Sequence, residues 1–288
     1  MSEGRSGGAG SLVRFAESET RAPVPGYVNR VWEERFPGLV CGITAAGREG
    51  DFGLARAGSV RDVLGRYGEL GATMGFSSVA VPFQVHGSRI RWLEMGPAGA
   101  VPIPPVGARA SGRARGRAGE SCPALTLVDR TDGLLCGARG VLLAVTAADC
   151  VPVYLLEPRS GTLGLLHAGW RGTAAGVLEA GLTALASRCE GAPASVWMHL
   201  GPAICGECYE VGEEVLRGLG RRGRRDRVDL RGELVARACA RGVEPRRVSV
   251  STWCTRCERS RFHSYRGSGE TAGRMAAYMG WGGPACGC

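Results

Sequence analysis

An α/β (α+β) fold, mixed sheets flanked by helices, is predicted by three features of the chain. Continuous apolar runs at 141–146, 151–156 and 161–166 have the length and composition of strands buried on both faces. Stretches with apolar residues at helical spacing, 60–74 and 173–188 among them, alternate with strand-like runs. No segment repeats at a fixed period and no linker divides the chain, so its 288 residues read as one domain with a substantial core.

Taken in order, residues 1–11 are rich in Gly and Ser and read as a disordered amino end, with a single domain over 12–280. The 32–54 stretch has the glycine punctuation of a strand or two, and 60–74 is a helix. Residues 77–85 read as a strand ending at His86, with Pro82 arguing for an edge or a bulge. The 96–123 run of Gly, Pro, Ala and Arg reads as a flexible insertion, because lengthening a surface loop costs little. The strands 141–146 and 151–156 flank an Ala148-Asp149-Cys150 bend, and 161–166 delivers His167 at its carboxyl end. A helix over 173–188 places Val177, Leu178, Leu182 and Leu185 on one side; 197–200 is a strand, 209–219 and 233–241 are helical, and 281–288 is a Gly/Cys tail.

Composition limits the function. The 36 basic residues are all arginine, and the net charge of +9 invites a nucleic-acid reading. The excess, however, sits in Arg109, Arg113, Arg115 and Arg117 within the insertion and in Arg221, Arg222, Arg224, Arg225 and Arg227, read as a solvated turn. Neither cluster is interleaved with the aromatic rings that stack on bases, which argues against nucleic acid as a partner. No run of eighteen apolar residues exists and residues 1–11 lack an apolar signal core, so the expected setting is a reducing cytoplasm with no membrane partner. Twelve cysteines are there expected to be free, metal-bound or catalytic.

Three of the chain's polar residues stand out. His86 ends one apolar run, Cys150 opens another, and His167 follows Cys150 by seventeen residues at the end of a third. Two imidazoles and a thiol make a three-ligand metal site with one tetrahedral position open, the arrangement of catalytic zinc. Asp149 beside Cys150 is placed to orient a ligand histidine or to accept a proton. After His167, the Ala168-Gly169-Trp170-Arg171-Gly172 turn leads into a helix whose amino end, read at Thr173, offers free N–H groups to an anion, with Arg171 adding a bidentate fork. Cys205, Cys208, Cys254 and Cys257 form two C-x-x-C pairs, but so far apart in the chain that the sequence favours separate thiols over a second zinc, without deciding between them. His199, after an apolar strand, reads as a satisfied core residue, and Trp170 as packing.

These pieces together resemble the multicopper-oxidoreductase laccase-domain family, also called the YfiH or peptidoglycan-editing-factor family. The resemblance rests on Gln84-Val85-His86-Gly87, Thr131-Asp132-Gly133, Ala148-Asp149-Cys150 with Pro152, and His167 to Gly172. It continues through Gly201-Pro202-Ala203-Ile204, Cys208-Tyr209-Glu210-Val211-Gly212 and Phe262-His263-Ser264-Tyr265-Arg266, over about residues 76–280. It implies a single YfiH-like sandwich with zinc, in preference to copper, on His86, Cys150 and His167. It also implies catalytic roles at those residues and Asp149, and nucleoside and phosphate binding by Arg171, Tyr265 and Arg266. The implied reactions are phosphorolysis of adenosine, inosine and 5'-methylthioadenosine, together with adenosine deamination. The alternatives are an editing hydrolase of peptidoglycan precursors, a copper polyphenol oxidase and a binding module without turnover. The oxidase is disfavoured by arithmetic, since only four histidines are present. The chain differs from the family's usual pattern at His263, Gly267 and Ala272, and around 51–54 and 66–67.

Overall fold

The three continuous apolar runs become the strands Val141–Ala147, Val151–Glu157 and Thr162–Ala168, because both faces of each find apolar cover. Alternate side chains go to different cores: Tyr154 and Leu156 meet Leu143, Val145 and Ile43 between two sheets, while Val153 and Leu155 meet helical residues on the outside. Each such Leu or Val, fully buried, contributes about 1.5–3 kcal/mol. The computed structural model describes residues 12–21, 24–47, 51–54, 60–96, 99–102 and 123–282. The expected disordered stretch 1–11, most of the 96–123 insertion with its four arginines, and the tail from 283 lie outside the described residues.

Two mixed sheets face each other. One has eight strands in the order Val13–Phe15, Val248–Ser251, Trp197–Leu200, Val151–Glu157, Thr162–Ala168, Gly133–Cys136, Ile90–Gly96 and Gly99–Pro102. The other has seven, Ser18–Thr20, Gly26–Val28, Leu39–Thr44, Met275–Trp281, Val141–Ala147, Ser78–Pro82 and Ala124–Val128. Outside the first sheet pack Val177–Ala186, Glu213–Gly218 and Leu230–Ala240, through Leu178, Leu182, Leu216 and Leu234. Outside the second packs Val60–Thr73, through Val63, Tyr67 and Leu70 against Val79, Leu142 and Tyr278. The result is helix, sheet, sheet, helix, a mixed α/β sandwich.

Several elements depart from the sequence reading. Ser78–Pro82 is an interior strand, paired in parallel on both sides, not an edge. Pairing with Val141–Ala147 ends at Ala80, so the amide missing from Pro82 breaks no bond there. The expected 173–188 helix is two helices, Trp170–Ala174 and Val177–Ala186, separated at Gly176, whose φ of +80° only a residue without Cβ adopts freely. The 209–219 helix starts only at Glu213, because Glu210–Gly212 pairs with Arg225–Arg227 as a short ribbon. Glu213 and Glu214 then fall in the first turn, where the helix dipole favours them. The arginine-rich turn is thus half strand, and Arg221, Arg225 and Arg227 pair with Glu233, Glu210 and Glu207. Gly99–Pro102 is also a strand, so the insertion begins later than its composition suggested.

Candidate active site and metal centre

Antiparallel pairing explains the spacing between Cys150 and His167. Val151 lies opposite Ala168 and Pro152 opposite His167, which sets Cys150 level with Gly169 and beside His167. A Cβ on Gly169 would come within 2.8 Å of Cys150 Sγ and 3.4 Å of His86, so only glycine lets this backbone run so close to those two side chains. His86 arrives from the other sheet, on the loop after Ser78–Pro82, where Phe83 N–H donates to the Val128 carbonyl and Thr131 N–H to that of Phe83. The donor atoms of His86, Cys150 and His167 lie within 4.8 Å of one another, and the two imidazoles meet edge-on with centroids 4.7 Å apart. His86 and Asp149 both hold positive φ, 58° and 87°. Such strain costs about 1–3 kcal/mol per residue and gathers where surrounding bonds enforce it.

Asp132 enforces it at His86. Its fully buried carboxylate accepts from the amides of Val85, His86 and Gly87 at 3.2, 2.8 and 2.7 Å, and faces His167 Nδ1 at 3.1 Å. Burial alone would raise the Asp132 pKa, but the hydrogen bond with His167 and the loop amides hold it below the usual carboxylate range. One side chain thereby fixes the loop that carries His86 and the ring orientation of His167, leaving Nε2 for a metal or for Cys150. Burial also works against a charged His167, yet the Cys150 and Asp132 charges outweigh it and raise its pKa to about 9. Burial pushes the Cys150 thiol up, while the His167 charge and hydrogen bonds from both histidines bring it down to about 6. Thiolate and imidazole nitrogens are borderline-soft donors, and the set fits zinc. The sequence assigns Asp132 no role of its own; its one signal is its place in the Thr131-Asp132-Gly133 motif.

The carboxylate that orients a histidine is therefore Asp132, not Asp149. Asp149 instead accepts from Thr255 Oγ1 at 2.6 Å, Ser264 Oγ at 2.7 Å and the Arg266 amide at 2.6 Å, tying the 255–266 segment to the residue before Cys150. The triad lies in a cavity of about 500 Å³ that Asp149, Arg171, Tyr265 and Arg266 also line, so all the predicted site residues share one space. Arg274, Phe83, Tyr209 and Leu230 line it too, though the sequence reading gives none of them a role of its own at the site. The Thr173 amide, read from the sequence as free for an anion, is not free. Thr173 N–H is already bonded to the Gly169 carbonyl, and the helix there is the five-residue Trp170–Ala174. Arg171 lies over the Trp170 ring and pairs with Glu214 at 3.3 Å, both half exposed or more. Arg266 stacks on Tyr209 and donates to the Glu210 carbonyl. Arg274 lies over the Tyr265 ring, and its backbone holds the 51–54 segment through Asp51 and Phe52.

His199 is a core residue, with its two ring nitrogens at 3.0 Å from Ser249 Oγ and 2.8 Å from Glu17. Trp170 packs against Gly218, where an added Cβ would meet the ring at 3.0 Å, and it also lines the cavity. No helix among the described residues is long and apolar enough to cross a membrane.

The comparisons agree with this architecture. Purine nucleoside phosphorylase YlmD of Geobacillus stearothermophilus is 36% identical over 172 residues, covering 54% of this chain and 61% of that protein. Adenosine deaminase RL5, of an unknown prokaryotic organism, is 30% identical over 161 residues, covering 51% and 61%. The chain thus spans about six-tenths of the length of the curated relatives it matches. The crystal structure of YlmD from Geobacillus stearothermophilus superposes with a TM-score of 0.70 at 29% identity, covering 86% of this chain and 93% of that one. The family described as multi-copper polyphenol oxidoreductase laccase matches residues 44–282, and the chain belongs to that family.

Proposed function

We propose that the chain is a zinc-dependent purine nucleoside phosphorylase that also deaminates adenosine, acting on adenosine, inosine and 5'-methylthioadenosine in the cytoplasm. The observation that carries this reading is the convergence of His86, Cys150 and His167 in a cavity that also holds Arg171, Arg266 and Arg274. Its volume of about 500 Å³ suits a nucleoside with an anion beside it. The names of the relatives above support the same substrate class.

His86, Cys150 and His167 would hold the zinc, which supplies Lewis acidity and a water of lowered pKa. The residues prepare for it. Asp132 fixes His167 by Nδ1, so the proton between His167 and Cys150 rests at Nε2 and is released when both become ligands. The guanidinium forks suit phosphate bidentately, and Phe83, Tyr209 and Leu230 offer apolar surface to a purine. In phosphorolysis a phosphate oxygen attacks C1' of the ribose, the glycosidic bond breaks and the base leaves with the electron pair. In deamination water adds at the ring carbon bearing the amino group and ammonia departs. A copper polyphenol oxidase would need further histidines at the metal. Among the described residues the metal-capable groups include neither His199 nor His263.

The test is incubation of the purified chain with adenosine or inosine, with and without phosphate, and chromatography of the products. Phosphate-dependent release of free base, and phosphate-independent inosine from adenosine, are expected; both disappear in His86→Ala and Cys150→Ala. A folded, metal-loaded protein that yields neither product sinks the reading. Cleavage of a muramyl-peptide precursor in its place would favour the editing hydrolase.

A further inference from the structure

Two loops distant in sequence bring four thiols to one point behind the cavity. Cys205 precedes and Cys208 ends the tight turn Gly206–Cys208, and Cys254 precedes the turn after Val248–Ser251, within which Cys257 lies. A backbone bridge between Ala203 and Cys254 aligns the two, and Thr255 N–H closes it on the Ala203 carbonyl at 3.2 Å. The four sulfurs lie within 4.8 Å of one another, with Cys208 and Cys257 at 3.5 Å. Zinc–sulfur bonds of about 2.3 Å in a tetrahedron put sulfurs about 3.8 Å apart, so the cluster is near that size. A disulfide would need about 2.05 Å. The amides of Cys205 and Cys257 both point at Cys254 Sγ, at 3.3 and 3.5 Å, which is how a turn stabilises thiolate charge on a metal ligand.

We propose that Cys205, Cys208, Cys254 and Cys257 form a second, structural zinc site, separate from the His86–Cys150–His167 centre. Four thiolates close the coordination sphere and leave no position for substrate. The site acts as a staple. Its first loop carries Ile204 and Tyr209 into the cavity wall, and Ile204 N–H donates to the Asp149 carbonyl at 3.1 Å. Its second loop carries Thr255, whose hydroxyl holds the Asp149 carboxylate, and Arg256, which donates to the Cys208 carbonyl at 3.1 Å. Joining the loops through a metal fixes Asp149, and with it the strained backbone before Cys150.

The test is the metal content of the full chain, purified under reducing conditions and measured by plasma mass spectrometry. Cys150→Ala is expected to keep one tightly held zinc per chain, and Cys208→Ser with Cys257→Ser added to that variant to hold none. Cobalt loaded into Cys150→Ala should give the intense visible bands of a tetrathiolate tetrahedral ion, and Cys257→Ser alone, at an exposed position, should weaken and shift them. Alkylation of the native metal-loaded chain should spare these four cysteines until a chelator is added. No zinc in Cys150→Ala, four readily alkylated thiols, iron in place of zinc, or a Cys208–Cys257 disulfide in the mapped peptides would each overturn the assignment.

Discussion

His86, Cys150 and His167 line the cavity of about 500 Å³, whereas Cys205, Cys208, Cys254 and Cys257 are not among its lining residues, and this difference goes with a difference in how each group is built. The first draws mixed nitrogen and sulfur donors from three separate segments, two of them strand ends. It is held by a buried carboxylate and by backbone in the left-handed region at His86 and Asp149. The second draws like donors from two C-x-x-C turns whose own amides face the sulfur. Open sites need their ligands positioned by the rest of the fold, because the metal leaves one direction unconstrained. Closed sites position themselves once four thiols meet, and can then hold other parts of the fold in place.

The largest effect that would break this contrast comes from removing one thiol from each group. Cys150→Ala is expected to reduce base release from inosine by more than about a hundredfold, beyond what loss of a supporting contact costs, with little change in melting temperature. Cys254→Ser is expected to lower the melting temperature by roughly 5–10 °C as a structural metal is lost, and to reduce base release much less than Cys150→Ala, through the loosened Asp149 alone. Thermal scans and turnover on the same preparations decide it. Equal thermal losses in the two variants would mean that both groups are structural.

A smaller effect concerns the support of the open site. Asp132→Asn keeps the shape but removes the charge facing His167 and turns an N–H toward atoms that also donate. Metal affinity at the triad should fall about 10–100-fold, read by chelator competition, while the four-thiol site is unaffected. Unchanged affinity would show that strand pairing alone, through the His167 amide on the Asp132 carbonyl at 2.7 Å, suffices to hold the ring.

The contrast also explains what could be read from the sequence. Strands such as Val151–Glu157 were legible because a run apolar at every position implies cover on both faces, which the two cores provide. The triad was legible because each ligand sits in a distinctive short motif. Asp132 was not, since its role depends on a loop more than forty positions away folding over its carboxylate. The break at Gly176 was hidden because a single glycine is tolerated inside a helical pattern. The meeting of the two C-x-x-C turns was hidden because the Ala203–Cys254 bridge that aligns them is a tertiary feature with no local signature. The Thr173 amide reads as free in the sequence for the same reason: the helix starts three residues earlier, at Trp170, and its first turn already uses that N–H.

The smallest effect tests the rim of the open site, which the closed site lacks. Arg171 is paired with Glu214, and both are well exposed, with side-chain exposures of 57% and 69%. An exposed pair of this kind contributes at most about 0.5–1 kcal/mol, so Glu214→Ala should leave the melting temperature within about 1–2 °C of the parent. If Arg171 receives phosphate, as proposed, the same substitution removes a competitor for its guanidinium. Releasing about 0.5 kcal/mol corresponds to about a twofold lower KM for phosphate, with kcat unchanged. Arg171→Ala should raise that KM instead, and the pair of changes in opposite directions would locate the phosphate at Arg171. A rise in KM from both substitutions would assign Arg171 and Glu214 to the structure of the rim, and leave Arg266 and Arg274 as the anion's partners.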